Sequence, residues 1–181
     1  MDRDLDCYRR YLAGDETGIE ELLERYGERL IKFIFRYVRD EELAEELMED
    51  SFCDIIIKGG FSASSSFRTY LYAIAKNKAL NELRRRKRFA DIDDSVFEFA
   101  CGAYDDITER ERARAVFDSM SKLSTDHRTV LYLLYYEDMS YKDTARVMKR
   151  TEGQIKSLAF RAKKAMKAVM EKEGLTYEEL V

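Results

Sequence analysis

Residues 66–88 read SFRTYLYAIAKNKALNELRRRKR, and the period of this stretch decides the fold class. Leu71, Ile74, Ala75, Leu80 and Leu83 recur at helical spacing, with Tyr70 and Tyr72 nearby. That spacing predicts one long helix from about Phe67 to Arg88. The helix ends in five consecutive bases, Arg84–Arg88, which make its last turns strongly cationic. Upstream, Ser62–Ser66 is a serine-rich loop, and Gly59-Gly60 closes a preceding helix. Asp40 can cap that helix, with Glu41 and Glu42 at the positive end of its dipole. Leu43, Leu47, Phe52, Ile55 and Ile56 line its expected buried side, and most of its acids sit opposite. Earlier still, Thr17-Gly-Ile-Glu20 fits a capping box. Behind it Ile19, Leu22, Leu23, Tyr26, Leu30, Phe33, Ile34 and Tyr37 mark one apolar helical face.

Downstream the pattern breaks. Phe89 to about Asp106 is acidic, carries isolated aromatics and sustains no period, so it reads as a linker between two helical domains. A short helix is expected from about Thr108 to Met120, and Val130, Leu131, Leu133 and Leu134 mark a buried one after it. Ser140 can cap Tyr141–Met148, Lys149-Arg150 forms a tight turn, and Thr151-Glu-Gly-Gln154 is a second capping box. The helix it opens has Ile155, Leu158, Ala162, Ala165, Met166 and Val169 inside, and a third Thr-x-x-Glu occurs in the tail at Thr176 and Glu179. Composition agrees with an all-α reading: the 181 residues include no proline and only 8 glycines, which argues against a turn-rich all-β fold. Three separated cysteines (Cys7, Cys53, Cys101) and one histidine, His127, make a poor zinc set and no disulfide framework. Isolated buried thiols or redox sensing are both open for them. Val130–Tyr136, the longest apolar run, is far shorter than a membrane span, and MDRDLDCYRR at the N-terminus is no signal peptide. A cytoplasmic protein without membrane insertion is expected.

The net charge of −4 conceals blocks of opposite sign. Tyr37–Asp54 holds eight acids against one base, and Ser66–Arg88 holds eight bases against one acid. Phe89–Arg112 has eight acids and two bases, and Ser140–Lys172 has ten bases and three acids. Two basic blocks on an acidic chain point to two polyanion-facing surfaces, against the plainer reading of solvated helical faces. One is a helix-turn-helix pattern at Ser140–Lys167, in which Ala145 permits close approach and Met148 and Ile155 bracket the turn. Its second helix offers Thr151 at its start and Gln154, Lys156, Ser157, Arg161 and Lys164 outward, groups able to hold phosphates and read base edges. The other is Phe61–Arg88. Phe61, Phe67, Tyr70 and Tyr72 lie beside bases, and unstacked nucleobases stack on such rings while Lys and Arg hold the backbone. Asn77 and Asn81 share one face and offer paired donors and acceptors. The same aromatics also suit a core, and the asparagines a neutral surface.

These segments resemble a known family. SFRTYLYAIAKNKALNELRRRKR (66–88), together with DEELAEELMEDSF (40–52), is similar to region 2 of bacterial sigma factors of the extracytoplasmic-function (ECF) group. Residues 123–167, including LYYEDMSYKDTA (134–145), are similar to their region 4. The resemblance implies two small helical domains, region 2 at 1–89 and region 4 at 112–172, joined by an acidic linker (90–111) and followed by a tail (173–181). It implies a non-catalytic subunit, without cofactor or metal, that binds core RNA polymerase and directs initiation at promoters. Region 2 would take the melted minus-ten element through Phe61, Ser66, Phe67, Arg68, Tyr70, Tyr72, Lys76, Asn77, Asn81, Arg84 and Arg85, with the loop Gly59–Ser66 and Asn77 holding a flipped base. Glu42, Glu45, Glu46, Glu49, Asp50 and Phe52 would meet the clamp helices of the largest polymerase subunit. Region 4 would contact the polymerase flap and read the duplex minus-thirty-five element through Thr151, Gln154, Lys156, Ser157, Arg161 and Lys164. The linker would pass near the active-centre channel.

The chain departs from the family in three places. Tyr70 stands where many relatives have Trp, Ser124 where Pro is usual, and Leu158 where an Arg commonly follows the recognition-helix Ser. With no long N-terminal inhibitory segment in the sequence, control by an anti-sigma factor is expected. Three alternatives follow from the residues themselves. They are a stand-alone two-domain helix-turn-helix regulator, a metal-dependent hydrolase or nuclease built on Glu42, Glu45, Glu46 and Glu49, and a helical adaptor using its acidic face.

Overall fold

Leu22, Tyr26, Leu30, Phe33, Ile34 and Tyr37 are buried along α2 (Thr17–Val38), and three other helices pack around this apolar face. They are α1 (Arg3–Leu12), α3 (Glu41–Lys58) and α4 (Phe67–Phe89). The computed structural model describes residues 3–61, 64–89, 116 and 118–174. The chain divides into two units, Met1–Asp94 and Ser95–Val181, and the described residues of both are helical, with no strand among them. The expected linker at 90–111, Cys101 and the tail box at Thr176 and Glu179 lie outside the described residues. So does most of the helix expected at Thr108–Met120, of which 118–121 is seen to be helical.

The periodicity of the sequence does not reveal α1, because only Cys7 and Tyr8 of its ten residues are buried, too few to leave a stripe. Gly18 at the start of α2 makes its docking possible. A Cβ there would overlap the Cys7 carbonyl oxygen and lie 2.8 Å from the Tyr11 nitrogen, so two backbones meet where no side chain fits. Asp4 bonds to both Arg25 and Tyr26, and Arg10 Nη2 lies 2.5 Å from Glu21 Oε1. The expected capping box at Thr17 does not form. Asp15 Oδ1 instead accepts from the Thr17 amide (3.1 Å) and hydroxyl (2.6 Å). The turn from α1 brings this nearer carboxylate to the helix start first.

Asp40 caps α3 by accepting from the Leu43 amide at 3.1 Å, and Gly59 ends the helix at φ 53°, a left-handed conformation that glycine adopts without strain. Ala44, Leu47, Ser51, Phe52 and Ile55 are buried, whereas Ile56 is 37% exposed, contrary to the sequence expectation. Leu47, Ser51 and Ile55 form the seam at four-residue steps, and Ile56 lies about 100° past it. Ser66 caps α4, its Oγ accepting from the Thr69 amide at 3.2 Å. Helix α4 buries Phe67, Leu71, Tyr72, Ala75 and Ala79 against α2 and α3, and the two alanines permit close approach. Ion pairs tie α3 to α4. Arg86 Nη2 lies 2.8 Å from Asp40, and Lys78 lies 3.5 Å from Asp50 and 3.4 Å from Asp54.

In the second unit, α5 (Thr125–Leu131) starts at Ser124, whose hydroxyl accepts from the His127 amide at 3.4 Å. A π-helical turn, Tyr132–Tyr136, extends α5 and inserts an irregularity that the apolar run alone does not predict. Helix α6 (Tyr141–Met148) is capped by Ser140, and α7 (Glu152–Lys172) by the capping box of Thr151 and Gln154, as the sequence predicts. Between them Lys149 adopts φ 53°, and its amide and that of Arg150 close on the last carbonyls of α6. Val130, Leu133, Val147, Met148, Ile155, Leu158, Ala159, Ala162, Met166 and Met170 form the core. Ala165 and Val169 are only partly buried, because Met166 and Met170 take the inward positions at the end of α7. No helix among the described residues is long and apolar enough to cross a membrane.

Two predictions follow from this packing. Gly18→Ala is expected to lower the unfolding free energy of the full chain by about 1–3 kcal/mol, or to release α1, as read by urea denaturation. The Arg86 guanidinium, aided by the Leu43 amide, holds the Asp40 carboxyl below its ordinary range. Its stabilising contribution is complete above the unfolded value of about 4 and is lost as pH falls through the lower folded value. Asp40→Asn is therefore expected to flatten part of the acid loss of stability measured as pH falls from about 5 to about 2.

Candidate nucleic-acid interfaces

One side of α4 faces the core, so the residues that can meet a ligand lie on the other. Tyr70, Asn77, Asn81 and Arg84 follow one another at helical steps along that outer side, partly or fully exposed. Arg84 Nη1 donates to Asn81 Oδ1 at 3.2 Å. At the N-terminal end of this stripe, the partly exposed Phe61 ring is boxed by three others. Its centroid is 5.5 Å from Tyr70, 5.6 Å from Phe67 and 5.4 Å from Tyr8, the last two edge-on. The loop backbone passes close over Tyr70, since a Cβ on Gly60 would lie 3.1 Å from the Tyr70 hydroxyl. Burial pushes the Tyr8 phenol above its ordinary pKa, with Tyr70 and Tyr11 adding to the shift. The box is therefore uncharged and open on its Phe61 and Tyr70 side, with two amides and a guanidinium farther along the same side of α4. Rings, amides and a cation in line are what an unstacked strand requires.

Several of the sequence-predicted residues are placed elsewhere. Phe67 and Tyr72 are wholly buried and belong to the core, since they flank Tyr70 on the inward side of the helix. Lys76 is 8% exposed and does not stand on the surface. Ser66 is occupied as the cap of α4. Arg85 forks onto Glu82 at 2.7 and 2.8 Å, and Arg68 is half-buried near Tyr26. Arg85 also feels the charge of Glu46 on α3.

On α3, Glu42, Glu45, Glu46 and Glu49 are all exposed and share one side, opposite the buried seam. Asp50 joins them while facing Lys78. Phe52 does not join them, being 4% exposed in the core. Among the described residues, no three His, Cys, Asp or Glu side chains are grouped so as to hold a metal ion. The carboxylates of α3 thus form a charged face and lack the convergence a hydrolytic metal site needs.

In the second unit, α6, the turn at Lys149 and α7 form a helix-turn-helix. Lys156, Ser157, Arg161 and Lys164 are exposed on α7. Thr151 and Gln154 are exposed but spend an oxygen each on the capping box, with Gln154 Oε1 accepting from the Thr151 amide at 2.9 Å. Lys156 pairs with Glu152 at 3.2 Å and lies 5.9 Å from the Tyr141 ring centre. Leu158 is 3% exposed, so the position where relatives commonly carry Arg faces the core in this chain. Phe160 escaped the sequence reading although it is 72% exposed, between Ser157 and Lys164 on the same side. A large aromatic at an outward helical position, off the apolar period, was the available signal. Farther along, Lys163 lies 4.6 Å from the Tyr135 ring centre, and with Leu131 and Met166 these two line a shallow apolar groove.

Comparison with known proteins agrees with this arrangement. Residues 22–89 match the family model for sigma-70 region 2, and residues 113–166 match that for sigma-70 region 4. The chain is 32% identical to the RNA polymerase sigma-H factor of Pseudomonas aeruginosa, over 92% of this chain and 93% of that protein. It is 26% identical to the ECF RNA polymerase sigma factor SigM of Bacillus subtilis, over 83% and 94% respectively. Among solved structures, CnrH in complex with the cytosolic domain of CnrY matches with a TM-score of 0.72 at 22% identity, covering 94% of this chain and 99% of that one. The sigma factor RpoE of Bartonella quintana, bound to the anti-sigma factor NepR, matches at 0.68 and 20%, over 84% and 96%. Two helical units with the region 2 and region 4 matches in order, and a relative this similar along nearly its whole length, place the chain in the sigma-70 family as an RNA polymerase sigma factor of the ECF group.

Proposed function

We propose that this sigma factor divides promoter recognition between its two units, the first (residues 1–89) capturing melted minus-ten DNA and the second (residues 112–172) reading duplex minus-thirty-five DNA. The stripe of Phe61, Tyr70, Asn77, Asn81 and Arg84 carries the reading, because it lines up rings, amides and a cation on one accessible helical side. Opening the duplex costs pairing and stacking, and stacking on protein rings returns about 1–3 kcal/mol per base. Asn77 supplies hydrogen bonds to a flipped base edge, and Arg84 holds phosphate. On α7, Lys156, Ser157, Arg161 and Lys164 meet phosphates and base edges, each good bidentate contact contributing about 1–3 kcal/mol of discrimination. The exposed Phe160 ring suits an apolar contact such as a thymine methyl.

The acids Glu42, Glu45, Glu46 and Glu49 bind a basic surface of core polymerase, supported by their exposure on one side of α3. The protein performs no chemistry of its own and acts in the cytoplasm as a detachable subunit, held in check by an anti-sigma factor. A stand-alone regulator would have no partner for the acidic face. It would also form a stable specific duplex complex by itself, which a chain of net charge −4 does not favour.

Asn77→Ala is expected to reduce open-complex formation at least tenfold in a permanganate footprint while core polymerase binding stays within about twofold. A parallel drop in both would remove Asn77 from strand capture. Reversing Glu42, Glu45, Glu46 and Glu49 to Lys is expected to abolish co-purification with core polymerase, the simplest check of the acidic face. Specific binding to promoter duplex by the chain alone, unaffected by that reversal, would favour the stand-alone regulator instead.

A further inference from the structure

Three rings enclose Phe61, and two of them, Phe67 and Tyr70, come from α4, the helix that the loop itself leads into. The third, Tyr8, comes from α1, more than fifty positions earlier in the chain. Tyr8 is 2% exposed and also contacts Phe67, with centroids 5.8 Å apart. Tyr8 and Cys7 are the buried residues of α1. The helix is nevertheless anchored with some care. Gly18 admits its backbone, Asp4 reaches Arg25 and Tyr26, and Arg10 reaches Glu21. An anchored helix that inserts a single large ring is a support for whatever that ring touches. The ring touches Phe61 edge-on at 5.4 Å. The region 2 match begins at residue 22, so α1 lies outside it.

We infer that α1 is a positioning element for strand capture, with Tyr8 holding Phe61 against Tyr70 so that the loop meets an unstacked base in one arrangement. The inference rests on the strand-capture reading of Phe61 and Tyr70. Without Tyr8, Phe61 loses one wall of its box and is free to turn into the space left behind. The ring pair at the mouth is then no longer organised before the strand arrives, and binding must spend free energy ordering it.

The test uses the full chain assembled with core polymerase and a fluorescein-labelled single-stranded oligonucleotide, selected from a random pool by the unmodified holoenzyme. Tyr8→Leu is expected to weaken oligonucleotide binding about threefold to tenfold. Tyr8→Phe, which keeps the ring, is expected to restore it to within about twofold. In a chain already carrying Phe61→Leu, adding Tyr8→Leu is expected to cost nothing more, a non-additivity that a general loss of stability does not produce. Tyr8→Met serves the same comparison if the leucine variant fails to fold. The inference is overturned if the Tyr8 substitution has no effect, or if it weakens binding by the same factor with and without the Phe61 ring. If Phe61→Leu alone leaves oligonucleotide binding unchanged, the strand-capture reading fails, and that result is distinct from either of the others.

Discussion

An α-helix turns by about 100° per residue, and that constraint governs α4. One helix has to close the core of the first unit and carry the side proposed to meet a polyanion. Phe67, Leu71, Tyr72, Ala75 and Ala79 take the inward arc. Only the remaining arc is left for the proposed recognition surface, and Tyr70, Asn77, Asn81 and Arg84 occupy it. Tyr70 and Tyr72 show the rule at its sharpest. Two residues of the same type, one position removed from adjacency, serve opposite sides of the helix because two steps carry the chain more than half a turn.

Electrostatics shapes the same unit from the other direction. The acids of α3 and the bases of α4 lie on packed helices, and part of each charge is spent on the other. Arg86 answers Asp40 and Lys78 lies between Asp50 and Asp54, while within α4 Arg85 forks onto Glu82. Exposed pairs of this kind contribute at most about 1 kcal/mol each and weaken with salt. Their larger effect is on which charges remain for partners. Glu42, Glu45, Glu46 and Glu49 are left on the acidic face, and Arg84 on the basic stripe, so the two surfaces are narrower than the sequence blocks from which they derive.

The second unit is stiffened locally instead. Side-chain caps at Ser124, Ser140 and Thr151 start α5, α6 and α7, and Lys149 closes the turn between α6 and α7. Because Thr151 and Gln154 cap α7, its first turn is fixed before any DNA arrives, and the exposed donors further along are carried on a rigid support. Along the π-helical turn at Tyr132–Tyr136, Tyr135 and Tyr136 are about half exposed, and Tyr135 lines the groove with Lys163 and Met166.

The sequence by itself determined the helical class, the caps at Asp40, Ser140 and Thr151, the glycine stop of α3 and the two basic modules. Each depends on interactions within a few residues, where spacing and side-chain chemistry suffice. Tertiary structure alone decided that α1 exists as a docked helix, that Asp15 displaces the expected Thr17 box, and that Phe67 and Tyr72 are core residues while Phe160 is not. An aromatic residue at helical spacing has the same local signature whether it faces inward or outward. Its side is settled only by which other helix is packed there, and for α1 by a glycine that lets one backbone approach another.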